Sequence, residues 1–384
     1  MINYGKQFID KKDIKEVTKA LKSNFLTQGP YVLKFEKALS KFLGYKYATV
    51  VSSGTAALHL IGKVLGWKKN DNIITTPISF LATSNSIVYA GANPVFVDID
   101  EKFYSLDPIK VEKEIINFKK KGKKIKAIVC TDYAGHPANW SKIKKIAVKY
   151  NIKTINDNCH AIGAKINQSF KYTSKYCDFV TLSFHPVKNI TSGEGGAILT
   201  NDRKYDKHLK TLRSHGVIRE NFTEIWKYKM KELGFNYRLS DINCALGFSQ
   251  LKKIKKFTNK RKSLAKFYDE SFKNINGIKI PLVKEKYEHA YHLYPLRIDF
   301  KKFKITKKIF FNKMIKNNIL LQVHYIPIYS QPFYKKEYRY KKNAFPISEK
   351  FYAEEISLPI YYSLKKKEQL KVIKTIKMIL KINN

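Results

Sequence analysis

The segment SFHPVKNITSGEGGAILTN, Ser183–Asn201, places one lysine, Lys188, between an apolar run and the glycines Gly193, Gly195 and Gly196. Glycines admit close backbone approach and positive φ. A lysine held at a strand end in such a low-dielectric pocket loses its proton and attacks a carbonyl carbon. The plain alternative is a solvated lysine, which describes most lysines of this chain. Two other stretches have chemical potential. Ser53-Gly54-Thr55-Ala56 follows an apolar run and opens a helical pattern. Unpaired N–H groups and the positive end of a helix dipole suit a phosphate there; an ordinary capped turn fits the same residues. In INDNCHAIGA, Asp157 ends a strand-like run and His160 lies three residues on. Taken alone they read as a helix cap and a structural histidine.

Together these residues specify more. A phosphate cradle, a carboxylate and a carbonyl-binding lysine are what pyridoxal 5′-phosphate needs: an anchor, a group that keeps the pyridine nitrogen protonated, and an amine that holds the aldehyde and later moves a proton. The planar ring needs a stacking face. Phe80, in TTPISFLATSNS, is the candidate, with core packing as its alternative.

The elements that must position these residues alternate along the chain. Tyr47–Ser53, Asn72–Pro77, Pro94–Asp100, Lys126–Tyr133, Lys153–Asp157, Phe179–Phe184 and Gly196–Thr200 read as strands. Helical patterns separate the first five of them, at Gly54–Gly66, Ala82–Gly91, Asp107–Phe118 and Trp140–Tyr150, after an opening helix at 13–22. Apolar strands alternating with helices give an α/β fold, a mostly parallel sheet covered on both faces. Ligands of such sheets gather at the carboxyl ends of the strands. From Ser240 the pattern changes. Asp241–Phe272 reads as one long helix, followed by Ala290–Phe300, a helix near Ile305–Asn317, Ile319–Tyr329 and a terminal helix Lys365–Ile382. The expectation is an N-terminal arm (1–12), a large cofactor-binding domain (13–245) and a smaller α+β C-terminal domain (246–384), with the long helix as hinge.

The net charge of +43 suggests an anionic partner at first sight. Only seven of the 74 basic residues are arginine, however, and the lysines run through the whole chain. A nucleic-acid surface draws on arginine for bidentate and stacking contacts, so no nucleic-acid partner is expected; the charge still attracts an anionic small substrate. Cys130, Cys159, Cys177 and Cys244 form no CxxC pair and read as reduced thiols, with no metal site. No apolar run is long enough for a bilayer, and MINYGKQFIDKKD lacks the apolar core of a signal peptide. A cytoplasmic protein with no membrane partner is the expectation.

SSGTAALHL, TTPISFLATSNSIVYAGANPVFVDID, INDNCHAIGA, SFHPVKNITSGEGGAILTN, RSHG and FNYRLSDINCALGFSQLKK resemble, in order and spacing, the motifs of the DegT/DnrJ/EryC1/StrS sugar aminotransferase family over nearly the whole chain. The resemblance implies the aspartate aminotransferase fold (type I), a homodimer, pyridoxal phosphate as cofactor and glutamate as amino donor. It makes Lys188 the Schiff-base lysine and Asp157 the partner of the pyridine nitrogen. It places Gly54, Thr55, Ala56 and Ser183 at the phosphate, Phe80 on the ring and His160 beside the ring hydroxyl. Asn236, in FNYRL, would reach across the dimer to the neighbouring cofactor and substrate. Tyr4, Leu26, Thr27, Gln28, Gly29, His324, Tyr325, Ile326 and Pro327 match substrate-contacting segments. Within the family, LTQGP, CTDYAG, FHPVK, HLYPLRI, QVHYIPIY and EEISLP look most like members that aminate C4 of a UDP-linked 4-keto-6-deoxy-N-acetylhexosamine for pseudaminic acid synthesis. Ile326 departs from the lysine that relatives often carry in HYKPIY. Retention of Lys188 sets aside the dehydratases, which carry histidine there. Two alternatives stay open: an aminotransferase for another UDP- or TDP-linked keto sugar, and a non-catalytic binding or regulatory homologue.

Overall fold

The protein is described by a computed structural model over residues 1–219 and 224–382. Seven strands form the large sheet: β1 (Tyr47–Val51), β2 (Asn72–Thr75), β3 (Asn93–Phe96), β4 (Ile125–Thr131), β5 (Lys153–Asp157), β6 (Phe179–Ser183) and β7 (Gly196–Thr200). Their order is β1-β7-β6-β5-β4-β2-β3, and only β7 runs against its neighbours. Helices must cover both faces of such a sheet, which is why its strands are apolar almost throughout. Ile155, Phe179 and Val180 are fully buried. The parallel strands end together, so Asp157 and Ser183 emerge at one edge.

The turn from β1 into the helix Gly54–Val64 is fixed by chemistry and by space. Ser53 caps the helix, its side chain accepting from the Ala56 N–H at 3.0 Å. Gly196 at the start of β7 passes so close that a Cβ there would sit 2.4 Å from the Ser53 carbonyl carbon and 2.6 Å from the Gly54 nitrogen. Both neighbours are backbone and cannot turn aside. Gly196→Ala is therefore expected to destabilise the protein by about 2–3 kcal/mol, the scale of overpacking a rigid site. A lowered melting temperature checks it; an unchanged one would mean that the turn gives way freely.

One expectation is corrected. Asp241–Phe272 is two helices, Asp241–Leu251 and Ile254–Phe272, separated at Lys252–Lys253. The break is held by side chains from the N-terminal helix Lys11–Leu21. Asp13, fully buried, accepts from Gln250 Nε2 at 2.7 Å and from Lys253 Nζ at 2.5 Å, and Asp10 also pairs with Lys253 at 3.0 Å. Lys253 is drawn aside, and its N–H bonds the Gln250 carbonyl in a tighter turn. The helices Pro30–Leu43 and Arg203–Arg213 were not anticipated. Ile319–Tyr329 joins no sheet: it makes single bridges, Ile2 to Ile319 and Gln322 to Ser357, and ends in a 3₁₀ turn, Ile328–Ser330.

The chain's last third builds a second core on a three-stranded antiparallel sheet of β8 (Ile278–Lys279), β9 (Tyr294–Ile298) and β10 (Glu355–Leu358). Tyr268, Phe272, Phe310, Met314 and Val372 are buried there. Ile2 belongs to this core as well, its N–H donating to the Asn318 carbonyl at 2.8 Å. Among the described residues no helix is long and apolar enough to cross a membrane.

Candidate active site

The carboxyl ends of β4, β5 and β6 and the Ser53–Thr55 turn open on a cleft of about 570 Å³, closed from the other side by the N-terminal arm and residues 322–326. Gly54, Thr55, Phe80, Asp157, His160, Ser183 and Lys188 line it from the large-sheet side. Tyr4, His324, Tyr325 and Ile326 face them.

Asp157 ends β5 with 5% of its surface exposed. Thr83 Oγ1 donates to its Oδ2 at 2.7 Å, and the Cys159 N–H to its Oδ1 at 3.3 Å. It has no ion-pair partner in the described structure within 4.0 Å. A buried carboxylate with no cation within ion-pair distance fits a protonated ring nitrogen.

Lys188 is half-buried and its Nζ lies 3.5 Å from His292 Nε2. Burial lowers its pKa, against the pull of Cys159 and Asp157. Three imidazoles surround it. Burial, then the lysine charge, hold His160 and His292 well below the ordinary histidine value, and His324 down at about 3. The lowered values favour neutral imidazoles, so His292 serves the lysine as a hydrogen-bond partner, while His160 and His324 are bonded to other groups. The Ala134 N–H donates to His160 Nδ1 at 3.3 Å, which leaves the ring proton on Nε2, 3.0 Å from the Tyr325 hydroxyl.

The first turn of Gly54–Val64 presents the Gly54 and Thr55 N–H groups, which have no partner within a helix. Ser183 stands against them: a Cβ on Gly54 would lie 3.0 Å from the Ser183 Cβ. These donors fit a phosphate. The Ala56 N–H is already taken by Ser53. Phe80 is 56% exposed, with its ring 6.0 Å from that of Tyr325. It faces the cleft and is not core.

The structure does not bring all the candidates together. Leu26, Thr27, Gln28 and Gly29 lie outside this cleft, pinned to the start of the helix Asp241–Leu251: the Gly29 N–H donates to Asp241 Oδ2 at 2.7 Å. Asn236 is exposed on the loop before that helix, and Pro327 begins the 3₁₀ turn behind the cleft wall. Thr83 and His292 were missed. Thr83 sits one turn into the helix that follows Phe80, the place to look for a partner of Asp157. His292 had no local signal, since it meets Lys188 only through the second core. A buried hub supports the floor. Asp132 accepts from the Ala138 N–H, Trp140, Asn156, Asn158 and Tyr172 at 2.6–2.9 Å, fixing the loops on both sides of Asp157.

Comparison with known proteins gives the family and the fold. The DegT/DnrJ/EryC1/StrS aminotransferase family matches residues 7–377. The UDP-4-amino-4,6-dideoxy-N-acetyl-β-L-altrosamine transaminase of Campylobacter jejuni is 38% identical over 371 residues, covering 96% of this chain and 94% of that one. The structure of Helicobacter pylori PseC, an aminotransferase involved in the biosynthesis of pseudoaminic acid, superposes with a TM-score of 0.91 at 34% identity, covering 99% of both chains. The structure of Spr1654 of Streptococcus pneumoniae in its PLP-form gives 0.88 at 25% identity, again over 99% of both. With its lysine, its unpaired carboxylate and this match along almost its whole length, the chain belongs to the DegT/DnrJ/EryC1/StrS aminotransferase family.

Proposed function

We propose that this sugar aminotransferase moves an amino group from glutamate to C4 of a UDP-linked 4-keto-6-deoxy-N-acetylhexosamine, giving UDP-4-amino-4,6-dideoxy-N-acetyl-β-L-altrosamine for pseudaminic acid synthesis in the cytoplasm. The observation that carries the chemistry is the buried Asp157 carboxylate, without a cation, in one cleft with the desolvated amine of Lys188. The 38% identity to transaminases of that sugar supports the substrate.

Pyridoxal phosphate, when bound, supplies the carbonyl that takes the amino group and the ring that spreads the resulting charge. The chain's residues do the rest. Asp157 holds the ring N–H, and Thr83 keeps its carboxylate in line. Gly54, Thr55 and Ser183 hold the phosphate. Phe80 would offer a ring face, and His160, fixed by Ala134, would stand ready for the ring hydroxyl. Lys188 moves the proton at the substrate carbon that bears the amino or keto group, in each half-reaction. Burial lowers its pKa, which raises the readiness of the amine to give up and take back a proton. Tyr4 and His324–Ile326 contact the sugar at the outer end of the cleft.

Asn236 and Leu26–Gly29 act in a homodimer, entering the neighbouring cleft from outside. Exposed Ile225, Trp226 and Leu233, each at least 78% accessible, lie just before Asn236 and support a covering second copy. One observation favours a second reading, an aminotransferase for another UDP- or TDP-linked keto sugar: Ile326, 47% exposed, stands at the cleft wall where related enzymes often carry lysine.

The test is a spectral titration run backwards. The cofactor-loaded protein is mixed with UDP-4-amino-4,6-dideoxy-N-acetyl-β-L-altrosamine. Loss of the lysine-bound cofactor band with growth of the amine-form band is expected. Conversion by glutamate alone would move the assignment to another sugar nucleotide. No conversion by either would sink the catalytic reading.

A further inference from the structure

The cleft wall at His324 is gripped from behind by buried groups. The His324 N–H donates to Glu355 Oε2 at 3.0 Å, and its carbonyl accepts from the Tyr133 hydroxyl. Ser357 Oγ donates to Glu355 Oε1 at 2.6 Å and lies 2.8 Å from His324 Nδ1. Glu355 and Ser357, both on β10, have no exposed surface. The bond directions follow from the donor inventory. A carboxylate only accepts, so the one hydroxyl hydrogen of Ser357 points to Glu355. The Ser357 oxygen must then accept from Nδ1–H. A neutral imidazole has one N–H, so Nε2 is a bare acceptor on a side chain that lines the cleft.

We infer that Glu355, acting through Ser357, is a positioning residue that sets the tautomer of His324 and so presents an acceptor nitrogen to a hydroxyl or amine of the sugar. The second half rests on the reading of His324–Ile326 as the sugar-contacting wall.

Uptake of one proton by Glu355 reverses the relay. The carboxyl O–H then donates to Ser357 Oγ, and the Ser357 hydrogen turns to Nδ1. His324 releases its Nδ1 proton to water and takes one on Nε2, so the net uptake is the proton on Glu355. The charged neighbours are few. Lys307 approaches from the helix Lys307–Lys316 and attracts the carboxylate. Arg297, opposite on β9, is engaged by Glu354 at 2.6 Å. The Tyr133 and Tyr325 hydroxyls complete the surroundings. Burial raises Glu355 to about 7 despite Ser357, Lys307 and the His324 N–H, so the reversal falls near neutral pH. His324, at about 3, stays neutral throughout and changes only its tautomer.

The experiment uses the holoenzyme labelled with ¹⁵N-histidine, long-range proton–nitrogen spectra, and His324→Asn to assign the signal. Wild type at pH 8 should show bare Nε2, passing to Nε2–H as pH falls through neutrality. In Glu355→Gln the amide oxygen still accepts the His324 N–H while its NH₂ donates to Ser357, so Nε2–H is expected at pH 8. Its KM for the UDP-amino sugar should rise about tenfold with little change in kcat, the effect of one lost polar contact. Should that variant fail to fold, Ser357→Ala removes only a hydroxyl and should abolish the pH-driven tautomer change. Nε2–H in wild type at pH 8, or a tautomer indifferent to either substitution, would overturn the relay. The expected tautomer change with an unchanged sugar KM would overturn the presentation of His324 to sugar and leave Lys188 chemistry untouched.

Discussion

Lys188→Ala is expected to lower turnover by at least about 10⁴-fold, the upper range for one positioned acid–base group, because that amine is also the proposed attachment point of the cofactor. Pyridoxal phosphate should still bind, since Gly54, Thr55, Ser183 and Asp157 are untouched. Among the described residues no other lysine lines the cleft to take over. The substitution has a second signature. The lysine charge helps to depress His160, His292 and His324. Its removal should move all three pKa values upward, visible in ¹⁵N spectra without any turnover. Appreciable activity in the variant would refute the role. Unmoved histidines would show that burial alone holds them neutral.

Asp157→Ala is the next largest expected loss, about 10²–10³-fold in the glutamate half-reaction, comparable to deleting one preorganised electrostatic group. In the proposed role the carboxylate stabilises a positive ring nitrogen; the cleft's other carboxylate, Glu194, is largely exposed and lies beside His185. Loss of the carboxylate also leaves the Thr83 hydroxyl without its acceptor. Single-turnover absorbance changes with glutamate give the rate, and dialysis gives cofactor retention. An unchanged rate in a fully loaded variant would remove Asp157 from the mechanism. Asp157→Asn separates charge from shape: it fills the same space and should be nearly as slow as Asp157→Ala.

The alternation of strands and helices was legible because each parallel strand is an apolar run bounded by turn residues, as at Lys153–Asp157 and Gly196–Thr200, where the expected and observed limits coincide. That put Asp157, Lys188 and the Gly54 turn at one edge before any coordinates. The single helix from Asp241 to Phe272 failed because no proline or glycine marks its break. Side-chain bonds from Asp13 and Asp10, more than 230 residues earlier, make it. His292 and Glu355 were illegible for the same reason. A buried titratable residue near a strand reads as structural until the fold shows which partner faces it. Asn236 and Leu26–Gly29 carry sequence resemblance but lie outside the cleft of their own chain, and it is the proposed second copy that would give them a place.

The bond between Ile2 and Asn318 also orders events in time. During synthesis Ile2 emerges some 316 residues before the segment it must join, which at ribosomal speed is roughly 16–60 s. The large sheet needs nothing beyond Thr200 for its strands, so it can close first. The arm carrying Tyr4 must wait, unpaired, until the last third of the chain arrives. Completion of the cleft therefore cannot precede synthesis of the segment from Asn318 to Gln331 that closes it.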